Sequence, residues 1–139
     1  MNRDRVAEDL RKHEGYRGMP YRCPAGKLTI GVGRNLDANG LRDDEIELML
    51  NNDIDQAIED AKEIVQCFER LDSVRQEVLV NMAFNLGRSR LAGFKKMIAA
   101  IEANKYAVAS VEMMDSQWAD QVGPRAQELA QRMATGYHE

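Results

Sequence analysis

Apolar positions along the chain change their period twice. Over residues 3–13, Val6, Leu10 and His13 recur at helical spacing and Asp4 sits in the first turn. Gly15 follows where a helix-ending glycine belongs. The period then drops to two. In KLTIGVG, Leu28, Ile30 and Val32 fall on one side, and Thr29, Gly31 and Gly33 on the other. The preceding CPAGK is a turn punctuated by Pro24 and Gly26. A small antiparallel hairpin or three-stranded sheet is therefore predicted over 16–36, and NLDANG is the loop after it. From about 43 to 65 the helical period returns. Ile46, Met49, Leu50, Ile54, Ala57, Ile58, Ala61, Ile64 and Val65 lie at 3–4 spacing, opposite an acidic face.

Beyond Leu71 the pattern is helical throughout. Val74, Val78, Leu79 and Met82 form one stripe, and Gly87 and Gly93 mark breaks. Helices are predicted over 94–103 and 106–114. Pro124 opens a last helix running to about 134. The predicted class is α+β: a small N-terminal lobe with an antiparallel hairpin or sheet over about 12–42, a connecting helix over 43–66, and a larger all-helical lobe over 67–139 that helix 3–13 joins. At 139 residues this is one domain with room for a real core.

Composition is ordinary for a globular chain, 44% hydrophobic and 30% charged. No apolar run is long enough to span a membrane. The polar start MNRDRVAEDLRKHEG lacks the pattern of a secretory signal, so the chain is expected to be made in, and at first stay in, the cytoplasm. Cys23 and Cys67 suit no metal site, and His13 and His138 are too isolated for one; no cofactor is expected. The net charge of −4 argues against nucleic acid as a partner. The charge is uneven, however. Residues 37–63 hold ten acidic groups against Arg42 and Lys62, whereas between 10 and 36 Arg11, Lys12, Arg17, Arg22, Lys27 and Arg34 face only Glu14. A basic region of that kind suits an anionic polymer.

Glu14 is the candidate for chemistry. It ends the first helix, where partial negative charge disfavours a carboxylate and favours the protonated form that a general acid needs. The surroundings of Glu14 resemble the phage-type lysozymes. HEGYRGMPYRCPAGKLTIGVG is similar to the family's E-G catalytic turn and T-I-G-x-G strand, and MLNNDIDQAI to its interlobe helix. LDSVRQEVLVNMAFNLG with LAGF is similar to the core of its helical lobe, and SQWADQVGPRA to its S-x-W…Q…P-x-R-A segment, with the proline shifted by one. All four occur in order.

The resemblance implies a phage-lysozyme fold and a cofactor-free muramidase. Such an enzyme cleaves the β-1,4 bond between N-acetylmuramic acid and N-acetylglucosamine in peptidoglycan. The family's catalytic set falls on Glu14, Cys23 and Thr29, but the family has Asp where this chain has Cys23. A glycosidase ordinarily needs two carboxyl groups. Three readings follow: a Cys23 thiolate, lowered by nearby Arg22 and Lys27, assists water or forms a covalent intermediate; Glu14 works alone in a lytic transglycosylase; or the chain only grips glycan. The first is the working reading.

The resemblance further implies that Arg125 reaches back to the glutamate, that Gln121 is a neighbouring cleft residue, and that Asn85 takes the place of a sugar-binding glutamine. Phe84 and Trp118 are read as core. Arg34 is expected to pair with Asp53. The implied partner is bacterial peptidoglycan, met by a monomer that depends on a membrane lesion such as a holin makes, in the manner of a phage or prophage endolysin.

Overall fold

The computed structural model describes residues 1–138. The chain divides into two compact units, Met1–Leu48 and the remainder from Met49. The element order is α1 (Arg3–Glu14), β1 (Arg17–Arg22), β2 (Leu28–Gly31), β3 (Arg34–Asn35), α2 (Leu36–Asn39), α3 (Asp43–Ile64), a 3-10 turn at Phe68–Arg70, α4 (Ser73–Leu86), α5 (Arg88–Ala92), α6 (Lys95–Glu102), α7 (Tyr106–Met114), α8 (Gln117–Val122) and α9 (Pro124–Thr135). Mostly helical with one small antiparallel sheet, this is the α+β class that the periodicity predicts.

In the first unit, Asn2 caps α1 by accepting a hydrogen bond from the Arg5 N–H at 3.0 Å. Gly15 ends the helix at φ +89°, its N–H donating to the Arg11 carbonyl. The sheet runs β1-β2-β3, all antiparallel. Thr29 pairs with Tyr21 on one side and Asn35 on the other, and an irregularity between Arg17 and Tyr21 re-aims the first strand. The alternation read for KLTIGVG stops early. Val32 lies in the turn between β2 and β3, and the buried strand side chain is Thr29, at 4% exposure, with Leu28 and Ile30 only half covered.

The second unit holds the core. Leu79, Met82, Leu91, Met97, Ile101, Met113 and Met133 are fully enclosed, and Trp118 is buried beside them. Asp72 and Ser116 cap α4 and α8 through their side chains. Pro124 begins α9, where its missing N–H costs nothing. Arg75 joins α4 to the end of α9, donating from Nε to the Met133 carbonyl at 2.7 Å and from Nη2 to the Ala134 carbonyl at 3.0 Å.

Two packing expectations need correction. The apolar stripe of α3 is buried only near its end, at Ala57, Ala61 and the following Val65, whereas Ile46, Met49 and Leu50 are exposed. Ile46 belongs to a unit whose only buried residue is Thr29, so it has no core of its own to face; Met49 and Leu50 open the second unit and stay outside its core. Phe84, read as core, is 45% exposed, because α4 turns Met82, Ala83 and Leu86 inward instead.

Candidate active site

The loop joining β1 and β2 is built around Cys23. Its N–H donates to the Lys27 carbonyl at 3.0 Å, and its own carbonyl accepts from Gly26 at 2.7 Å. So tight a turn gathers N–H groups at its opening. The Cys23 thiol is held below its ordinary range, first by a hydrogen bond from the Lys27 backbone N–H; burial opposes this next, and the Ala25 N–H, the Thr29 hydroxyl and the Cys23 N–H each lower it by less. The side-chain charges expected to do this are not the cause. Arg22 turns its guanidinium to the Gly26 carbonyl, at 3.1 Å. Thr29 is thus a direct neighbour of the sulfur. Its Oγ1 lies 2.8 Å from the Lys27 carbonyl oxygen as well.

Glu14 sits at the last position of α1, in the same unit. Its side chain lies on the backbone of the β2–β3 turn. A Cβ at Gly33 would stand 2.7 Å from Glu14 Oε2, 3.0 Å from its Cβ and 3.1 Å from its Cδ. Gly33 also adopts φ +65°, which L side chains avoid. The second glycine of T-I-G-V-G therefore has a function the motif alone does not state: it leaves room for the glutamate. The Tyr21 hydroxyl approaches the Glu14 backbone carbonyl at 3.5 Å, a long contact, and Arg17 stacks over the Tyr21 ring at 4.4 Å.

The end of the sheet is clamped by Arg34. Its guanidinium meets both oxygens of Glu45, at 2.9 and 2.7 Å, and the Gly40 carbonyl at 3.1 Å. The Arg42 N–H adds 2.8 Å to the same carboxylate. Arg34 therefore pairs with the first turn of α3, not with Asp53. Arg34 and then the Arg42 N–H hold the Glu45 carboxyl down to about 2.

The remaining candidates lie in the helical unit, each with its own partner. Arg125 gives Nε and Nη2 to Asn81 Oδ1, at 3.1 and 2.6 Å. Gln121 Oε1 accepts from Arg90 at 3.4 Å. Asn85 Oδ1 accepts from the Trp118 indole N–H at 2.8 Å, and Trp118 meets Phe94 edge to face. Asn85 thus fixes the buried tryptophan. Asn81, the residue that holds Arg125, was not singled out from the sequence. The one hint was its position four residues before Asn85, one helical turn away on α4.

Comparison with known proteins bears on this arrangement. The sequence profile of the family described as phage lysozyme matches residues 11–135. Two curated proteins of Dictyostelium discoideum, named probable T4-type lysozymes 2 and 1, are 26% and 28% identical to the chain. The alignments cover 91% and 94% of this chain and 92% and 94% of theirs. The pre-baseplate central spike protein Gp5 of Enterobacteria phage T4 is 28% identical across 94% of this chain, which corresponds to 28% of that protein.

Proposed function

The chain belongs to the phage lysozyme family, and from that premise we propose that it cuts peptidoglycan glycan strands with Glu14 as general acid and Cys23 in place of the second carboxylate. Membership makes it a glycoside hydrolase of the lysozyme type. The bond cut is the β-1,4 link between N-acetylmuramic acid and N-acetylglucosamine. Glu14 gives its proton to the leaving glycosidic oxygen as the bond to the anomeric carbon breaks, which leaves positive charge on the sugar. The Cys23 thiolate then acts in one of two ways. It takes a proton from the attacking water, or it bonds to the anomeric carbon until water displaces it. Thr29 orients that water and stabilises the thiolate. In the first route the proton taken by Cys23 returns to Glu14 through solvent, and in the second Glu14 takes a proton from the displacing water; both end with a reducing muramic acid, a protonated Glu14 and a Cys23 thiolate.

The observation that supports this reading is the hydrogen bonding around the Cys23 sulfur, which favours the anionic form that a missing aspartate would have supplied. Arg125, Gln121 and Asn85 serve as substrate-side or supporting groups. Among the described residues no helix is long and apolar enough to cross a membrane. The reading proposed here is an endolysin that reaches the wall through a lesion opened by a partner such as a holin.

The test is digestion of purified peptidoglycan followed by mass spectrometry of the soluble fragments. Reducible muramic ends are expected. Fragments lighter by one water and not reducible would mean a transglycosylase working from Glu14 alone. A folded sample releasing no fragments would mean a chain that only grips the wall.

A further inference from the structure

In the helical unit, α7 turns Ala109 and Met113 into the core. Its outward sector is apolar as well. Val108 is 48% exposed and Val111 65%, and Met114 is exposed beside them. A single apolar side chain in water needs no account, but three at spacing of three form a stripe along one helix. Two of the three are valines, which lose side-chain freedom in a helix and gain nothing there by facing water. The charges at the ends of α7 also stand the wrong way round. Lys105 occupies the N-terminal cap with no side-chain hydrogen bond to the helix, and Asp115 occupies the C-terminal cap. A helix carries partial positive charge at its start and partial negative charge at its end, so each group is repelled by the end it occupies. Both are exposed, and among the described residues neither makes an ion pair. A second α7 laid antiparallel on the stripe would answer both features. Lys105 and Asp115 lie about 15 Å apart along the axis. A two-fold axis at the level of Ser110 brings each of them to the opposite charge of the other copy.

We propose that α7 is a self-association surface: two copies of the chain pair antiparallel along Val108, Val111 and Met114, and each Lys105 meets the Asp115 of the other copy. The occupant is a second copy because the face is complementary to itself, with opposite charges at mirrored ends of one apolar stripe, as an isologous contact requires. The stripe supplies the attraction. The ion pairs are exposed, so they add little affinity and set the orientation. One face of a nine-residue helix is small beside a stable interface, so the dimer is weak and depends on concentration. None of this depends on the muramidase reading.

The test is sedimentation equilibrium of the full chain at low salt, from micromolar to near-millimolar concentration. A monomer–dimer equilibrium is expected. Val111→Lys puts a charge into the stripe and should weaken association by roughly tenfold or more. Lys105→Glu and Asp115→Lys each set like charges against one another in an antiparallel pair, and each should weaken it by about fivefold. An equimolar mixture of those two variants should associate as the parent does, because every altered charge then meets its opposite. The double variant Lys105→Glu/Asp115→Lys should do so on its own. All four changes are at exposed positions, and circular dichroism checks their folds; the reversed end charges suit the helix better than the native ones. A parent that stays monomeric at every concentration would overturn the proposal, as would a Val111→Lys variant that associates like the parent. A mixture that associates no better than its components would overturn it as well, since only antiparallel pairing of Lys105 with Asp115 gives that rescue.

Discussion

Glu14 cannot keep its place if Gly33 gains a side chain. The added carbon of Gly33→Ala would meet three atoms of the glutamate, and the carboxylate would have to swing away. An L residue at φ +65° adds about 1–2 kcal/mol of backbone strain, which a folded domain survives. Gly33→Ala should therefore lose most of its kcat while losing only that much stability in urea denaturation. Glu14→Gln should cost about 10²–10⁴-fold in kcat with little change in stability. Full activity in either variant would remove Glu14 from the reaction. Cys23 and Cys67 should also differ. Hydrogen bonds lower the first thiol, and burial raises the second. Iodoacetamide near neutral pH should alkylate Cys23 first, as peptide mapping would show, and activity should fall in step. Thr29→Val removes one of the bonds to the sulfur, so its thiol should ionise at higher pH. Cys23→Asp should keep or raise activity and Cys23→Ala reduce it; equal rates for Cys23→Ala and the parent would show that the thiol takes no part. At this scale a familiar spacing pointed to Glu14, Cys23 and Thr29, and the structure puts Thr29 beside the Cys23 sulfur and Glu14 against Gly33. What holds the sulfur was not legible, because the donors are backbone N–H groups that every sequence has and only the turn gathers.

Among the elements, the clamp between β3 and α3 has a definite pH dependence. Glu45 titrates at about 2 in the folded chain against 4.5 when free, so the unfolded chain binds the extra proton between those values. The clamp's contribution is therefore complete above about pH 4.5 and is lost as pH falls toward 2. Denaturation midpoints at pH 5, 4 and 3 should fall in the parent and fall less in Glu45→Gln. Identical slopes would mean that the pair adds nothing. Periodicity made the longer helices readable, but α2 lies where NLDANG reads as a loop, and α5 and α8 were not read as separate helices. The partner of Arg34 was not readable, since Glu45 and Asp53 lie on one helix about two turns apart and both carry the right charge. Nor was the exposure of Phe84. Its neighbours on α4 are apolar on several sides, and only packing decides which sector is covered.

Over the whole molecule, stability and chemistry are distributed unequally. From Met49 onward, helices enclose a continuous apolar core of large side chains. In Met1–Leu48 the one buried residue is Thr29, and order there depends on backbone ladders, caps and the Arg34–Glu45 clamp. Burial of apolar surface is the main favourable contribution to folding, so the two units should open at different free energies. Hydrogen exchange read by mass spectrometry at neutral pH should show two tiers. Peptides from α4, α7 and α9 should exchange only through global unfolding, and peptides across 17–35 should exchange much faster, through local opening. Variants that weaken the sheet, Gly33→Ala among them, should speed exchange in 17–35 alone and leave the thermal midpoint of the helical unit near that of the parent. Equal protection across the chain would mean that the sheet unit draws its stability from something other than its own residues. If the tiers are found, the low protection falls on Cys23 and Thr29 and the hairpin proposed as catalytic is the part of the molecule free to move, which is where a site that must admit and release a polymer strand has most use for it.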